Sequence, residues 1–251
     1  MASAFHWYEL RTTDPKAAAD FYAKVVGWTA TEMGSAEQPY TVMNADKGGV
    51  AGIAQLSRTP DAKPSWVGYV AVDNADAYVE RLAKAGGTVR TPPEDVPGML
   101  RLANVADPQG TPFVIYHGLQ EGGPPTGGLG EPGYVGWREL IATEASAAFD
   151  FYSGLFGWTK SDSFNMGPMG LYQMFAAGAE SIGAMMTQPD KGDPPHWNYY
   201  FKVDSAAAAV ERLKAAGGTL TNGPHQVPSG DWVVQGADPQ GVSFHLVSLK
   251  P

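Results

Sequence analysis

The stretch DPQGTPFVIY (Asp107–Tyr116) returns later in the chain, with few changes, as DPQGVSFHLV (Asp238–Val247). Each stretch predicts a turn followed by a strand, because Asp, Pro and Gly favour turns and the apolar run after them favours a strand. The two copies differ at an informative position, where the first has Val114 and the second has His245. The difference raises the question of why only one copy carries an imidazole.

The duplication extends over most of the chain. A displacement of about 130 residues aligns WYELRTTDPKAAADFYAKVVGW (Trp7–Trp28) with WRELIATEASAAFDFYSGLFGW (Trp137–Trp158). It also aligns VDNADAYVERLAKAGGTV (Val72–Val89) with VDSAAAAVERLKAAGGTL (Val203–Leu220). Solenoid repeats are much shorter, so the copies are interpreted as whole domains. We predict a first domain at residues 1–118, a Gly/Pro-rich linker at 119–133 and a second domain at 134–251.

Each copy has a pattern of one strand, one helix and three strands, and this pattern occurs twice per copy. Asp14 before a proline predicts a helix start, and Gly27 predicts its end. Asp73 is predicted to cap the next helix of the first copy. Strands are predicted at residues 5–12, 40–44, 49–56, 66–72, 100–105, 111–116 and 135–142.

Composition excludes several classes of function. The chain has 251 residues, 43% of them hydrophobic, and a net charge of -9 with no basic run, which argues against a nucleic-acid partner. It has no apolar stretch long enough to cross a membrane, and the start lacks a signal-peptide pattern, so a cytoplasmic protein without a membrane partner is expected. Because there is no Cys, disulfides and thiolate chemistry are excluded.

The order of these motifs resembles the vicinal oxygen chelate superfamily, which includes glyoxalases, bleomycin-resistance proteins, fosfomycin-resistance enzymes and extradiol dioxygenases. The resemblance depends on four kinds of segment, namely DPKAAADFYAKVVGW and ASAAFDFYSGLFGW, VERLAKAGG and VERLKAAGG, PPHWNYYF, and the two DPQG turns. Within the superfamily the chain is most similar to the tandem type often labelled hydroxylases. The resemblance implies an α+β fold of two tandem glyoxalase-like domains, each of two βαβββ modules forming a half-open barrel around a cavity.

The resemblance also implies where metal ligands would lie. The family's three ligand positions correspond to Trp7, Ser65 and Val114 in the first copy, and none of these is a good ligand for a transition metal. The first domain is therefore expected to be free of metal.

The second copy has His196 and His245 at two of these positions, and Trp137 at the third. Glu139 lies on the same strand face as Trp137 and is a possible substitute, since side chains alternate along a strand. Glu139, His196 and His245 would then hold one divalent metal (Zn, Fe, Ni or Mn). The alternative is that these residues only line a cavity, and we expect no cofactor.

Strand parity identifies the side chains expected to face the two cavities. For the first copy they are Trp7, Glu9, Ser65, Val67, Tyr69, Val114 and Tyr116, and for the second Trp137, Glu139, His196, Asn198, Tyr200, His245 and Val247. Aromatic walls with a few polar groups suit a planar ligand, whereas the same aromatics could simply fill the barrels. We select Trp7, Glu9, Tyr69, Tyr116, Trp137, Glu139, Asn198 and Tyr200 as candidate ligand-binding residues.

Other Trp, His and Met residues are given structural roles. Trp28 and Trp158 are expected to pack a helix end onto a sheet, and Trp66 and Trp197 to meet a helix or the other domain. His6, His117 and His225 are expected to be bystanders. Five methionines of the second copy are expected either to fill its core or to form an adaptable cavity wall, namely Met166, Met169, Met174, Met185 and Met186.

These features favour a protein that binds a hydrophobic or aromatic small molecule, for sequestration and resistance or as an accessory in its metabolism, with a degraded metal site. The alternative is a metal-dependent enzyme, either a glyoxalase-like lyase or a hydroxylase or dioxygenase type of oxidoreductase. A purely structural protein is the weaker third hypothesis. Either a monomer or a homodimer is compatible with two covalently joined copies.

Overall fold

The computed structural model describes residues 3–35, 39–57, 63–119, 130–189 and 192–251. They form an α+β fold with one mixed sheet per copy of the repeat. The first sheet has the order β2-β3-β4-β1-β5-β9-β8-β6, with β7 paired to β8, and the second has the order β11-β12-β13-β10-β14-β17-β16-β15. The strands and helices of the first copy are β1 (Phe5–Thr12), α1 (Pro15–Val26), β2 (Thr29–Gly34), β3 (Pro39–Ala45), β4 (Gly48–Gln55), β5 (Ser65–Ala71), α2 (Ala75–Lys84), β6 (Thr88–Val89), β7 (Glu94–Val96), β8 (Leu100–Ala106) and β9 (Pro112–Gly118).

The second copy repeats this order, except that one longer strand (Thr219–Gln226) takes the place of both β6 and β7. A single 3-10 turn (Gly167–Met169) lies between its second and third strands. Its elements are β10 (Val135–Ala142), α3 (Ala145–Phe156), β11 (Thr159–Asn165), β12 (Leu171–Ala177), β13 (Glu180–Thr187), β14 (His196–Lys202), α4 (Ala206–Ala215), β15 (Thr219–Gln226), β16 (Trp232–Ala237) and β17 (Ser243–Ser248). None of the helices among the described residues is both long and apolar enough to span a bilayer.

The ends of the helices follow the sequence signals with one correction. The Asp14 side chain accepts a hydrogen bond from the Ala17 amide at 3.0 Å, and Gly27 ends α1 with a φ of 91°. The cap of α2 is Asn74, whose Oδ1 accepts from the Ala77 amide at 3.0 Å, so the assignment to Asp73 was wrong. Asn74 has the extended backbone of a cap, and its side chain is the one that reaches the third amide of the helix.

Contacts divide the chain into two compact units. Unit 1 comprises Met1–His6, Val67–Gly123 and Arg138–Asn198, and unit 2 comprises Trp7–Trp66, Pro124–Trp137 and Tyr199–Pro251. Each unit thus draws on both copies of the repeat. The predicted division at 1–118, 119–133 and 134–251 describes the repeat in the sequence, and most of the linker lies outside the described residues.

In unit 1 the first DPQG turn joins the two copies. Asp107 is buried, and its Oδ1 accepts hydrogen bonds from the amides of Gln109 and Thr111, each at 2.9 Å. Its other oxygen accepts from the hydroxyl of Tyr152 on α3 at 3.1 Å. The Gln109 side chain bonds both the amide and the carbonyl of Glu144 at 2.8 Å. The motif therefore shapes a turn and fixes it to the start of the other copy's helix.

Unit 2 repeats the arrangement with the copies exchanged. Asp238 accepts from the amides of Gln240 and Val242 at 2.9 Å and from the hydroxyl of Tyr22 on α1 at 3.3 Å. Gln240 bonds the backbone of Asp14 through both ends of its amide, at 3.1 and 2.9 Å. Burial raises the pKa of Asp238, and burial together with Asp238 raises the pKa of Tyr22 well above its ordinary value.

The tryptophans expected to be structural are buried and hydrogen-bonded. Trp28 Nε1 donates to the Gly133 carbonyl within unit 2, and Trp158 Nε1 donates to the Ser3 carbonyl within unit 1, each at 2.7 Å. Trp66 and Trp197 do meet a helix, because their Nε1 atoms donate to Tyr22 and Tyr152 at 3.0 and 3.1 Å, respectively.

Candidate functional site

The first copy has a polar network along β1 in unit 2. The Glu9 carboxylate, 8% exposed, lies 2.8 Å from Nε of Arg11, which is two residues along the strand. Trp7, two residues before Glu9, donates from Nε1 to the Tyr40 hydroxyl on β3 at 3.1 Å. The predicted residues Trp7 and Glu9 therefore lie in one network that also contains Arg11 and Tyr40.

Tyr40 covers the sheet beside this network. A Cβ placed on Gly52 would lie 1.8 Å from the Tyr40 hydroxyl oxygen, so the phenol fills the space directly above Gly52. Burial, followed by the nearby charge of Glu9 and a hydrogen bond to it, raises the pKa of Tyr40. The neutral phenol therefore accepts from Trp7 and donates to Glu9.

The rest of the predicted first-copy wall is in unit 1, apart from Ser65, which is exposed and belongs to unit 2. Tyr69 and Tyr116 are 5% and 4% exposed, with ring centroids 6.0 Å apart in an edge-to-face arrangement. Val67 and Val114 are also buried. This part of the wall is a packed aromatic and aliphatic surface.

In unit 1 the second copy has a carboxylate beside methionine and aromatic side chains. Asn198 Nδ2 donates to Glu139 Oε2 at 3.1 Å. Strand register pairs Ala184 with both Glu139 and Met174, so these three side chains lie on one face of the sheet. Tyr172, two residues before Met174, lies on that face too.

In unit 2 the second copy has an apolar cluster. Tyr200, Val233 and Val247 are buried together, and Trp137 packs against them while only half-buried. His245 is 5% exposed, with its ring centroid 4.8 Å from that of Tyr200 in an edge-to-face arrangement. Nε2 of His245 lies 3.4 Å from the Ser243 hydroxyl. Four predicted residues, Trp137, Tyr200, His245 and Val247, are therefore neighbours.

In the part of the chain that the structure describes, the side chains do not form an arrangement suited to a divalent metal. Among residues 3–35, 39–57, 63–119, 130–189 and 192–251, no three His, Cys, Asp or Glu side chains are grouped so that they could hold an ion. His196 is exposed, with Nδ1 3.0 Å from the Pro194 carbonyl oxygen, and Glu139 is bonded by Asn198. The structure therefore gives no support to Glu139, His196 and His245 as a ligand set, and the set stays a prediction.

A separate cleft of about 690 Å³ lies in unit 2 between the start of α1 and the hairpin of β2 and β3. Its lining includes Asp14, Lys16, Glu32, Tyr40 and Gln55. None of the residues predicted to bind a ligand lines it. The lining mixes polar and apolar residues, and Lys16 is already paired with Asp20 at 3.2 Å.

The other histidines have distinct surroundings. His117 Nδ1 accepts from the Ala75 amide at 3.0 Å and so supports the start of α2. His225 is exposed. Burial and then the charge of Arg138 lower the pKa of His6, which is half-buried.

Sequence reasoning missed Arg11 and Tyr40. Alternation along β1 places Arg11 on the face of Glu9, so parity alone could have found it. Tyr40 and Tyr172 occupy matching positions in the repeat, and the segments around them align without a gap. The presence of tyrosine at this position in both copies was the signal that could have identified Tyr40.

Comparison with known proteins gives consistent results. The family model described as Glyoxalase/Bleomycin resistance protein/Dioxygenase superfamily matches residues 4–115 and 134–246. The anthracycline biosynthesis protein DnrV of Streptomyces peucetius is 34% identical, over 97% of this chain and 92% of its own.

Two solved structures show the same fold. The Mn(II)-bound glyoxalase from Novosphingobium aromaticivorans superposes with a TM-score of 0.68 at 18% identity, over 100% of this chain and 82% of that one. The 2,2',3-trihydroxybiphenyl 1,2-dioxygenase from Sphingomonas wittichii strain RW1 gives a TM-score of 0.69 at 15% identity, over 99% and 91%. At these identities the likeness concerns the fold alone.

Proposed function

The chain belongs to the Glyoxalase/Bleomycin resistance protein/Dioxygenase superfamily, and on that basis we propose that it binds a hydrophobic, aromatic small molecule without requiring a metal. It acts as a sequestering resistance protein or as an accessory in the metabolism of the compound. The proposal concerns binding first, because the described side chains suit recognition of an apolar surface better than coordination of an ion.

The observation that carries the proposal is the cluster of Trp137, Tyr200 and Val247 beside His245. The indole is half-buried, so one part is held by the cluster while another part stays accessible. A rigid aromatic side chain supported in this way stacks on a planar ligand at little cost in side-chain entropy.

The expected ligand is a polycyclic aromatic compound with a polar edge. The 34% identical relative is named as a protein of anthracycline biosynthesis, and anthracyclines are compounds of this chemical class. Beside Tyr200 in unit 2, the imidazole of His245 supplies the polar group of this cluster. Small-molecule sites usually combine an apolar wall with a few such polar groups.

The experiment is a titration of purified, EDTA-treated protein with a fluorescent anthracycline, followed by fluorescence and calorimetry. We expect saturable binding, weakened at least about fivefold by Trp137→Leu, because loss of a stacking aromatic costs on the order of 1 kcal/mol or more. Trp232→Leu is the matched control, since Trp232 precedes the cluster residue Val233 and faces away from it. We expect its affinity to stay within about twofold of the wild-type value.

Protein purified without EDTA treatment distinguishes the enzyme alternative. Elemental analysis should find no stoichiometric transition metal, and mass spectrometry should recover the ligand unchanged. Stoichiometric metal that is lost in His245→Ala, together with conversion of the ligand, would instead establish a metal-dependent enzyme. Wild-type protein that binds no anthracycline would refute the proposed ligand class.

A further inference from the structure

We infer that the side-chain amide of Gln235 donates hydrogen bonds to carbonyl oxygens on the edge of the ligand, so that the site selects planar quinones over aromatic compounds without such oxygens. The inference rests on the proposed function and specifies the class of ligand. It makes Gln235 a specificity-determining residue beside the cluster of Trp137, Tyr200, Val233 and Val247.

A row of side chains crosses the sheet of the second copy next to this cluster. Strand register pairs His245 with Tyr200 on β14 and with Gln235 on β16. Gln235 is paired in turn with Asn222 on β15. Paired residues present their side chains on the same face, so these four side chains lie in one row across the sheet. All four belong to unit 2, as the cluster does.

The row lies within reach of a ligand that stacks on Trp137. Val233 and Val247 are opposite each other, and they lie two residues from Gln235 and His245 on the same strands. Residues two apart on a strand face the same side at a distance of about 7 Å. Trp137 packs against the two valines, so a ligand of several fused rings stacked on its indole reaches the Gln235 amide with its edge.

The Gln235 amide is oriented with its donor available. Nδ2 of Asn222 donates to Oε1 of Gln235 at 3.3 Å. In the described part of the chain, no group accepts a hydrogen bond from Nε2 of Gln235. An amide whose oxygen is already bonded presents only its N–H donors to a ligand. Ring carbonyl oxygens are suitable partners, because they accept hydrogen bonds near the plane of the ring.

This end of the row is accessible from solvent. Gln235 is half-buried and Ser243 is exposed. Ser243 lies on the face of His245, with its hydroxyl oxygen 3.4 Å from Nε2 of the imidazole. A hydroxyl both donates and accepts, so Ser243 can bond either a carbonyl or a hydroxyl group of a ligand held by Gln235.

The first copy has a different row at the matching place. Register pairs Val114 with Tyr69 and Asn104, so Asn104 stands at the position of Gln235. Nδ2 of Asn104 donates to the Thr91 hydroxyl at 2.9 Å. The amide donor is therefore used within the protein, and a valine stands in place of the imidazole. Asn104 is thus the matched control for Gln235.

The test compares a sulfonated anthraquinone with the anthracene sulfonate that lacks its carbonyl oxygens. Calorimetric titration gives the affinity of each compound, and the ratio of the anthraquinone affinity to the anthracene affinity isolates the effect of the carbonyl oxygens. We expect Gln235→Leu to lower this ratio at least about threefold, because the hydrogen bond to the carbonyl is lost. In Asn104→Leu the ratio should stay within about twofold of the wild-type value.

Two further variants separate recognition of the edge from stacking. Trp137→Leu should weaken both compounds and leave the ratio unchanged, because both present the same aromatic surface. Asn222→Asp should lower the ratio without a change at Gln235, because the new carboxylate only accepts and draws Nε2 of Gln235 away from the ligand. Asn222 is exposed, so this variant is expected to fold.

Circular dichroism establishes which variants are folded. An unchanged ratio in folded Gln235→Leu, or an equal fall in Asn104→Leu, overturns this inference, whereas the proposed function still stands if Trp137→Leu weakens binding. If Gln235→Leu does not fold, the ratio in Asn222→Asp decides in the same way. If the wild type binds neither compound and no anthracycline, the proposed function fails and this inference fails with it.

Discussion

His6 illustrates how a single half-buried side chain makes stability depend on pH. Burial and then the nearby Arg138 guanidinium lower the pKa of His6 in the folded protein. The unfolded chain therefore binds more protons than the folded one as pH falls through about 6.5, the ordinary histidine pKa. The free energy of unfolding should decrease on acidification through this window and level off below the lowered pKa.

The prediction is that His6→Gln flattens this part of the profile. Urea unfolding between about pH 8 and pH 5 should show a wild-type slope steeper than that of the variant, by at most about 1.4 kcal/mol per pH unit for one proton. His225→Gln serves as the control, because His225 is exposed and should follow the wild type. Equal slopes for wild type and His6→Gln would contradict the assignment.

Individual site residues were predictable only as far as strand parity reaches. Parity placed Trp7 and Glu9 on one face of β1, and they lie in one network. It could not identify Tyr40, because that contact depends on the register of β3, β4 and β1 and on the missing Cβ of Gly52. Parity also could not show that His196 is exposed, because alternation along a strand gives the face of a side chain and not its accessibility.

At the scale of the structural elements, the hydrogen bonds between a DPQG turn and the helix of the other copy can be tested by mutation. Tyr152→Phe removes the donor to buried Asp107 and the acceptor for Trp197. We expect a loss of about 1–3 kcal/mol in the free energy of unfolding, because buried polar atoms lose their partner. Urea denaturation measures it.

Tyr22→Phe is the matched variant in unit 2, where Tyr22 bonds Asp238 and Trp66. The same direction and size of effect are expected there. Tyr78→Phe is the control, because the Tyr78 hydroxyl has a 3.3 Å contact with Ser3 and does not bond a DPQG turn. A Tyr152→Phe protein as stable as the Tyr78→Phe protein would exclude the role of the turn.

Most elements could be predicted because burial on one side leaves a periodic pattern. The stripe of α1 is an example, with Ala18, Phe21, Tyr22, Val25 and Val26 all buried as expected. β2 and β11 were missed because every residue in them is exposed, so no alternation between apolar and polar faces marks them. Asp73 and Asn74 are both good caps, and local sequence does not decide between them.

For the whole molecule, the repeat in the sequence and the compact units in space divide the chain differently. Each unit contains segments of both copies, joined by a DPQG turn and by aromatic contacts. In unit 1 the rings of Phe113 and Tyr152 are 5.5 Å apart, and in unit 2 those of Phe21 and Phe244 are 5.5 Å apart. Neither copy alone therefore completes a unit.

This organisation predicts that the copies associate without a covalent link. When residues 1–119, carrying an affinity tag, are expressed together with untagged residues 130–251, the second fragment should co-purify in a 1:1 ratio. Combining Asp107→Ala with Asp238→Ala should weaken this association at least about tenfold, because each change removes the acceptor of a buried tyrosine hydroxyl and of two backbone amides. If the fragments are soluble and folded but do not co-purify, the contacts within each unit depend on the covalent connection between the copies. The prediction that the DPQG turns hold the copies together is then wrong.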